Sequence, residues 1–200
     1  MSTSAPQRRT ESPRSLAVLL VVASVTGFVA ATALTMDKLT LLAHPHAALS
    51  CNFSVLVGCT TGLQSWQGSL LGFPNSILGM AAWAVLLALG MIMLTSIELT
   101  RVVWIGLNVG LAGAFGLVVF LIIQSIYVLG VLCPWCMATW AVTIPIFLAV
   151  TAFNLERWSP STAIRAAGRI GMQWLPLITV ACYVTVAALA QVRLDVLERL

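Results

Sequence analysis

Four of the five cysteines form two pairs, an arrangement suited to thiol–disulfide exchange. Cys133 and Cys136 belong to the sequence Cys-Pro-Trp-Cys, and Cys51 and Cys59 are separated by seven residues. A Cys-x-x-Cys motif places two thiols close enough to form a disulfide. If the motif opens a helix, the helix N-terminus stabilises a thiolate and lowers its pKa. The fifth cysteine, Cys182, lies alone in an apolar stretch and is predicted to be a packing residue.

Other chemistry is possible for these cysteines. Cys136 is followed by Met137 rather than His, which excludes attachment of a c-type haem. A zinc site could use both pairs, but the spacing of Cys51 and Cys59 is unusual for zinc and the loop around them is apolar. We therefore expect no metal. Static structural disulfides, or buried thiols acting as small hydrophobic groups, remain an alternative.

The composition is that of an integral membrane protein. Hydrophobic residues make up 60% of the 200 residues and charged residues only 8%, against about 25% charged residues in a soluble domain. The net charge of +4 comes from loop arginines without a dense basic cluster, so we expect no nucleic-acid partner. Five uncharged stretches are long enough to cross a bilayer, at residues 16–36, 75–97, 102–127, 136–153 and 174–192.

The third and fourth spans divide one long run, 102–153, that contains no Asp, Glu, Lys or Arg. As a single helix it would be about 78 Å long, whereas the bilayer hydrocarbon is about 30 Å thick. The run must fold back once, and the break signals lie between Gly130 and Pro134. This places Cys133 and Cys136 at a membrane face, between two spans.

Loop charges predict the orientation. Seven basic residues precede span 1 or follow spans 2 and 4, against three in the other loops and the tail, which favours a cytoplasmic N-terminus. Residues 1–14 are predicted to be a disordered cytoplasmic segment, and residues 193–200 a short outer tail. Span 1 resembles a signal peptide, but its apolar stretch is long, so we expect it to be retained. Both cysteine pairs then lie on the outer face.

The outer loop 37–74 is unusually apolar for a solvated linker. Long loops of this kind are usually functional, and we expect short helices that cap a membrane-embedded pocket, with Trp66 at the interface. In span 3, the spacing of Gly106 and Gly110 predicts close packing against a neighbouring helix.

Three motifs together resemble the vitamin K epoxide reductase family in its bacterial form. They are Cys51-x7-Cys59 in the outer loop, Phe73-Pro74-Asn75-Ser76 opening span 2, and the Cys-Pro-Trp-Cys motif opening span 4. The resemblance covers about residues 15–190. It implies an all-α integral membrane fold, with four helices bundled around a quinone and a fifth span, as one domain over residues 15–192.

The resemblance also implies roles for individual residues. Cys133 and Cys136 would be the active-site pair, with Cys136 facing the quinone and Cys133 exchanging with the loop. Cys51 and Cys59 resemble the shuttle pair, and we expect Cys51 to attack Cys133 while Cys59 meets a soluble partner. Asn75 and Ser65 match polar positions around the quinone; the Asn75 amide could donate to a quinone carbonyl or simply cap span 2. Apolar walls, for which lipid contact or packing is an equally good account, would come from Trp66, Phe73, Ile77, Met137 and Trp140.

The implied activity is that of a quinone-dependent thiol:disulfide oxidoreductase in a bacterial inner membrane, supporting disulfide formation in exported proteins. Menaquinone or another vitamin K-type quinone is the expected acceptor, and a separate thioredoxin-like or DsbA-like protein on the outer side is the expected electron donor. Trp140 stands where animal members often have Tyr, which puts animal-type reduction of the epoxide in doubt. A thiol-reducing conduit, a DsbB-type oxidase and a scaffold with structural disulfides are the alternatives.

Overall fold

The described residues are mostly helical and include five helices that are long and apolar enough to cross a membrane. The computed structural model describes residues 14–49, 51–54, 56–95, 97 and 99–195. The helices are α1 Arg14–Ala43, α2 Thr60–Gln64, α3 Asn75–Leu94, α4 Arg101–Ile123, α5 Pro134–Trp158, α6 Thr162–Gln173 and α7 Leu175–Leu194. A 3-10 turn, Trp66–Ser69, follows α2, and a π-helical turn, Gln124–Leu129, continues α4. The predicted all-α membrane fold is confirmed, with α1, α3, α4, α5 and α7 as the candidate spans.

Four of the five long helices share one core. Helix α1 packs along α3 and α5, and α5 packs along α4. Leu20 of α1, Trp83 of α3, Leu111 of α4 and Ile146 of α5 are among the buried side chains that fill the space between them. Helix α7 is more peripheral: Ala190 and its neighbours pack on the outer ends of α4 and α5. The result is a four-helix bundle with a fifth helix beside it.

The predicted break in the long apolar run is confirmed. The π-helical turn ends at Leu129, and Gly130 adopts a left-handed conformation with φ 66°, which glycine tolerates at a helix C-terminus. Pro134 then begins α5 at its first position, where the missing N–H costs no hydrogen bond. The motif Cys133–Cys136 therefore lies at the outer end of α5.

Other boundaries differ from the predictions. Helix α1 continues to Ala43, beyond the predicted end of span 1, and α5 reaches Trp158. Amphipathic helix α6 was missed because its arginines suggested an inner loop. It packs closely on α5, since a Cβ at Gly168 would lie 2.6 Å from the carbonyl oxygen of Ala152. The predicted disordered N-terminus, apart from Arg14, and residues 196–200 of the predicted tail lie outside the described residues.

The predicted helix contact at Gly106 and Gly110 is wrong. A Cβ built at either glycine meets no atom within 4 Å among the described residues. Gly110 lines a cavity instead, so the absence of a side chain leaves space rather than allowing close packing.

Candidate functional site

The outer loop forms a cap, defined here as residues 44–74, that is fastened to the turn before α5. The N–H of Leu132 donates to the carbonyl of Leu56 at 2.8 Å, and the N–H of Gly58 donates to the carbonyl of Leu132 at 3.0 Å. These bonds form an isolated parallel bridge between Val57 and Leu132. Because Cys59 follows Gly58 and Cys133 follows Leu132, the backbone pairing brings these two cysteines side by side.

The four predicted cysteines form one sulfur cluster. Cys51 and Cys59 are joined by a disulfide, whereas Cys133 and Cys136 are free thiols. The Sγ of Cys133 lies 3.2 Å from the Sγ of Cys59. The expected order within the loop pair is thus reversed: Cys59, not Cys51, faces Cys133, because the backbone bridge ends at Gly58.

Two polar side chains lie beside the loop disulfide. The Oδ1 of Asn52 accepts hydrogen bonds from the N–H of Cys59 at 2.9 Å and of Thr60 at 3.4 Å, and its Nδ2 donates to Thr60 Oγ1 at 2.7 Å. Asn52 therefore ties the residues after Cys51 to the start of α2. The Oδ2 of Asp37 lies 3.3 Å from Cys51 Sγ. Sequence analysis missed both residues, although the position of Asn52 directly after Cys51 was a signal.

The sulfur cluster is shielded from solvent. The exposed fraction is 3% for Cys51, 0% for Cys59 and 6% for Cys133. Apolar residues from α1 and the cap cover these sulfurs, chiefly Leu34, Leu41, Leu49 and Leu63. A soluble protein could therefore reach the loop disulfide only after the cap has moved.

Asp37, Cys51 and Cys59 also form a compact group, with one potential ligand atom from each within 4.8 Å of the others. Cysteine binds metal as a thiolate. With the two sulfurs joined to each other, the group lacks the ligands that zinc prefers. Its geometry instead serves the disulfide.

The reactive properties of Cys133 follow from its place just before α5. A hydrogen bond from the Cys136 thiol, together with backbone N–H groups of Cys136 and Trp135, lowers the pKa of Cys133 from its ordinary value, although burial opposes this effect. These donors favour the thiolate because they stabilise its negative charge. Cys133 is therefore the more readily released thiolate at the point of contact with Cys59.

A cavity of about 500 Å³ extends from the sulfur cluster into the bundle. Cys59, Cys133 and Cys136 line its outer end, while Cys51 does not. Most of the wall is apolar. The polar side chains along it are Ser65, Gln67, Asn75, Ser76, Gln124, Ser125, Thr139 and Thr143.

The structure brings together some of the predicted quinone-site residues and leaves others outside. Ser65, Asn75 and Trp140 line the cavity. The other four predicted wall residues do not line it and are exposed, with Trp66 reaching an exposed fraction of 65%. These four residues, which lie outside the cavity, are Trp66, Phe73, Ile77 and Met137.

Asn75 and Ser65 already have protein partners. The Oδ1 of Asn75 accepts from the N–H of Leu70 at 3.0 Å, and its Nδ2 donates to the carbonyl of Gln67 at 2.7 Å. Asn75 therefore braces the cap on α3 without capping the helix, and one N–H of its amide is left for another acceptor. The hydroxyl of Ser65 donates to the carbonyl of Gly62 at 2.7 Å, so Ser65 offers only acceptor capacity to the cavity.

The cavity opens sideways between α3 and α4. These two helices contact each other little: α3 packs on α1, α4 packs on α5, and α1 and α5 pack on each other. Leu78 of α3 and Val109 of α4 both line the cavity and are also exposed, with Gly110 and Gly113 beside them. An elongated apolar molecule in the bilayer could enter by this mouth.

Comparison with known proteins gives one finding. The model of the Vitamin K epoxide reductase family matches residues 18–151, about two thirds of the chain, which contain most of the four bundled helices, the cap and both cysteine pairs. No curated protein matches the chain significantly. The paired cysteines, the cap and the apolar cavity agree with the family match, and the chain belongs to the vitamin K epoxide reductase family.

Proposed function

We propose that this protein is a quinone-dependent thiol:disulfide oxidoreductase that passes electrons from a thioredoxin-like protein to a quinone. Membership of the family supports a membrane thiol–disulfide oxidoreductase linked to quinone. The observation that carries the finer proposal is the contact at 3.2 Å between the sulfurs of Cys59 and Cys133, at the outer end of an apolar cavity that Cys136 also lines. One sulfur cluster thus joins the cap to a site within the bundle.

The cavity suits a quinone ring. Its volume of about 500 Å³ lies within the range of roughly 300–1,000 Å³ that is typical of small-molecule sites. Its wall is largely apolar, its few polar groups include the partly engaged amide of Asn75, and its mouth faces the lipid phase. Ser65, Asn75 and Trp140 would hold the ring near Cys136. A bound quinone supplies an acceptor for two electrons and two protons.

Electron transfer between the cysteine pairs follows from the geometry. With the cap pair reduced and the active-site pair oxidised, the thiolate of Cys59 attacks Cys133, forms the Cys59–Cys133 disulfide and releases Cys136 as a thiolate. The thiolate of Cys51 then attacks Cys59, which restores the Cys51–Cys59 disulfide and releases Cys133. Two electrons have moved from the cap to the active-site pair. The resulting state, with the cap pair oxidised and the other pair reduced, is the state in the structure.

Redox chemistry supports a proposal for the partner and for the direction of electron flow. A DsbA-like oxidant has a potential near −120 mV, so its reoxidation needs a still stronger acceptor at the end of the chain. We propose a separate DsbA-like or thioredoxin-like donor at the outer face of a bacterial inner membrane, menaquinone as the acceptor, and disulfide formation in exported proteins as the result.

The experiment is reduction of a quinone by the purified protein, followed by absorbance, with a reduced thioredoxin-like protein as the donor. We expect turnover in the natural protein and none in Cys136→Ser, while Cys182→Ser retains activity because Cys182 lies away from the cluster. Absence of turnover in the natural protein, with cap disulfides that do not respond to quinone, would contradict the proposal and favour a structural role for the cysteines.

A further inference from the structure

A pair of amides lies on the cavity wall and was not found by sequence analysis. Gln67 belongs to the 3-10 turn of the cap, and Gln124 is the first residue of the π-helical turn after α4. The Nε2 of Gln67 donates to the Oε1 of Gln124 at 3.1 Å. Both side chains line the cavity.

Gln67 is buried, with an exposed fraction of 4%. Its Oε1 is buried and has no hydrogen-bond partner in the described part of the chain. Buried amide oxygens are normally paired, because an unpaired one loses its interaction with water and gains nothing in return. Gln67, whose side chain lines this largely apolar cavity, therefore holds an unpaired acceptor.

The hydrogen bond between the two amides can form in either direction. When the Nε2 of Gln67 donates to Gln124, the Oε1 of Gln67 is left free as an acceptor. When both amides turn over together, the Nε2 of Gln124 donates to the Oε1 of Gln67, and the Nε2 of Gln67 is left free as a donor. The oxygen and nitrogen of an amide have nearly the same shape, so the exchange requires no other movement of the wall.

The two redox states of a quinone have opposite hydrogen-bonding needs. The carbonyl oxygens of a quinone can only accept hydrogen bonds, whereas the hydroxyl groups of a quinol can donate them. We propose that the Gln67–Gln124 pair contacts the ring oxygen of the bound quinone and turns over in concert, so that it donates to the quinone and accepts from the quinol. This inference rests on the proposed function, because it names the residues that recognise both forms of that acceptor.

Binding to both forms can be measured apart from turnover. The experiment uses the full-length protein with Cys133→Ser and Cys136→Ser, so that neither the quinone nor the quinol reacts with the active-site pair. Duroquinone and duroquinol serve as probes, because their fully methylated ring does not add thiols. Quenching of tryptophan fluorescence reports binding, since Trp83 and Trp140 line the cavity.

Variants that fix the direction of the bond test the proposal. At about pH 10, above the pKa of roughly 8–9 that burial can give a glutamate, the carboxylate in Gln124→Glu can only accept, so Gln67 must turn its Nε2 towards it and keep its Oε1 free. We expect duroquinone to bind about three- to tenfold more weakly relative to duroquinol, the loss of one neutral hydrogen bond. Gln67→Glu should shift the ratio in the same direction.

Gln64→Glu is the matched control, because Gln64 lies on α2 and is exposed. We expect it to leave the ratio of the two affinities unchanged. If the glutamate variants are unstable, the neutral variant Gln67→Met provides the test, and it should weaken both ligands by a similar factor. A pair that only fastens the cap to α4 would not change the ratio of the affinities.

Two results would overturn the inference. One is an unchanged affinity ratio in both glutamate variants that bind the probes; the other is an unchanged affinity for both probes in Gln67→Met. These results are distinct from failure of the proposed function, which would appear as absence of Cys136-dependent quinone reduction in the natural protein. If the natural protein reduces quinone and these variants bind it normally, the amide pair has a purely structural role.

Discussion

Cys133 has two neighbours of different kinds, and its position explains why one thiol can serve both the cap and the cavity. Its sulfur lies 3.2 Å from Cys59, while Cys136 donates a hydrogen bond that lowers its pKa. Cys51 has no such access, because it neither faces Cys133 nor lines the cavity. The disulfide that joins the cap to the active site should therefore form through Cys59.

Trapping the mixed disulfide tests this order. With Cys51→Ala and Cys136→Ala combined, only Cys59 and Cys133 remain in the cluster, and we expect mild oxidation to join them. The matched variant, Cys59→Ala with Cys136→Ala, leaves Cys51 and Cys133 and should stay largely unlinked. Alkylation of remaining thiols followed by mass spectrometry distinguishes the two. Efficient linkage through Cys51 would restore the order expected from the sequence.

The pH dependence of alkylation tests the role of Cys136 as a hydrogen-bond donor. In reduced protein carrying Cys51→Ala, Cys59→Ala and Cys182→Ala, the alkylation rate of Cys133 should reach half its maximum at a lower pH than that of an ordinary cysteine thiol, because its pKa is lowered. Adding Cys136→Ala removes the largest cause of the lowered pKa, so the midpoint should move to higher pH. Peptide mass spectrometry measures the rate. An identical midpoint in both proteins would show that Cys136 does not stabilise the thiolate.

The sequence identified the four cysteines that cluster in the structure but not their arrangement. Cysteine spacing marks two dithiols wherever they lie, so all four cysteines could be named in advance. Which of Cys51 and Cys59 faces Cys133 depends on a backbone bridge between Leu56–Gly58 and Leu132, and no local pattern specifies that bridge. Gln67 and Gln124 are 57 positions apart, so their pairing also required the fold.

Helix α4 shapes the mouth of the cavity because it carries glycines there, which have no side chains. Gly110 and Gly113 line the cavity, and a Cβ at either would meet no other atom within 4 Å among the described residues. Because α3 and α4 make few contacts here, the glycines keep a passage open on the lipid side. This passage has the position needed for the tail of a membrane quinone.

Filling the mouth should affect long-tailed substrates most. We expect Gly113→Leu to raise the KM for a long-tailed quinone by about tenfold, equivalent to ~1.4 kcal/mol and within the usual cost of overpacking. The KM for short-tailed duroquinone should change less. Gly106→Leu is the control, because Gly106 lies on the same helix in open space but does not line the cavity. Steady-state kinetics with both quinones make the comparison, and equal effects on both would place the entrance elsewhere.

Helix prediction succeeded where the chain carries strong local signals. The length of the apolar stretches predicted five spans. Gly130 and Pro134 predicted the turn between α4 and α5, because glycine tolerates a left-handed conformation and proline favours the first position of a helix. Helix α6 was missed because it is short and carries Arg165 and Arg169. Its placement depends on Gly168 meeting the backbone of α5, a tertiary contact that the sequence does not reveal.

Several basic side chains and the cysteine cluster lie at opposite ends of the protein. Arg101 and Arg157 lie against the ring of Trp158 at the end of α5 opposite the cysteines. Arg169 of α6 pairs with Glu156 in the same region at 3.3 Å. By the positive-inside rule, we expect this end to face the cytoplasm and the cap to lie on the outer face.

Labelling of single cysteines in intact cells tests that orientation. In a protein whose five native cysteines are replaced by alanine, Ser54→Cys in the cap should react with a membrane-impermeant maleimide. Thr162→Cys, at the start of α6, should react only after the membrane is permeabilised. Both positions are exposed, so access depends on the side of the membrane. Labelling of Thr162→Cys in intact cells would reverse the orientation.

The apolar side chains that cover Cys51 and Cys59 would also make the proposed electron transfer selective for its donor. Any small thiol could reduce a disulfide that is exposed to solvent. Quinone would then be consumed without oxidation of a protein. Because apolar side chains cover both sulfurs, small reductants should react slowly even when their potential is favourable. A protein donor that binds the cap and displaces it gains access. In the proposed relay, this insulation, rather than redox potential alone, would limit leakage and determine which thiols are oxidised.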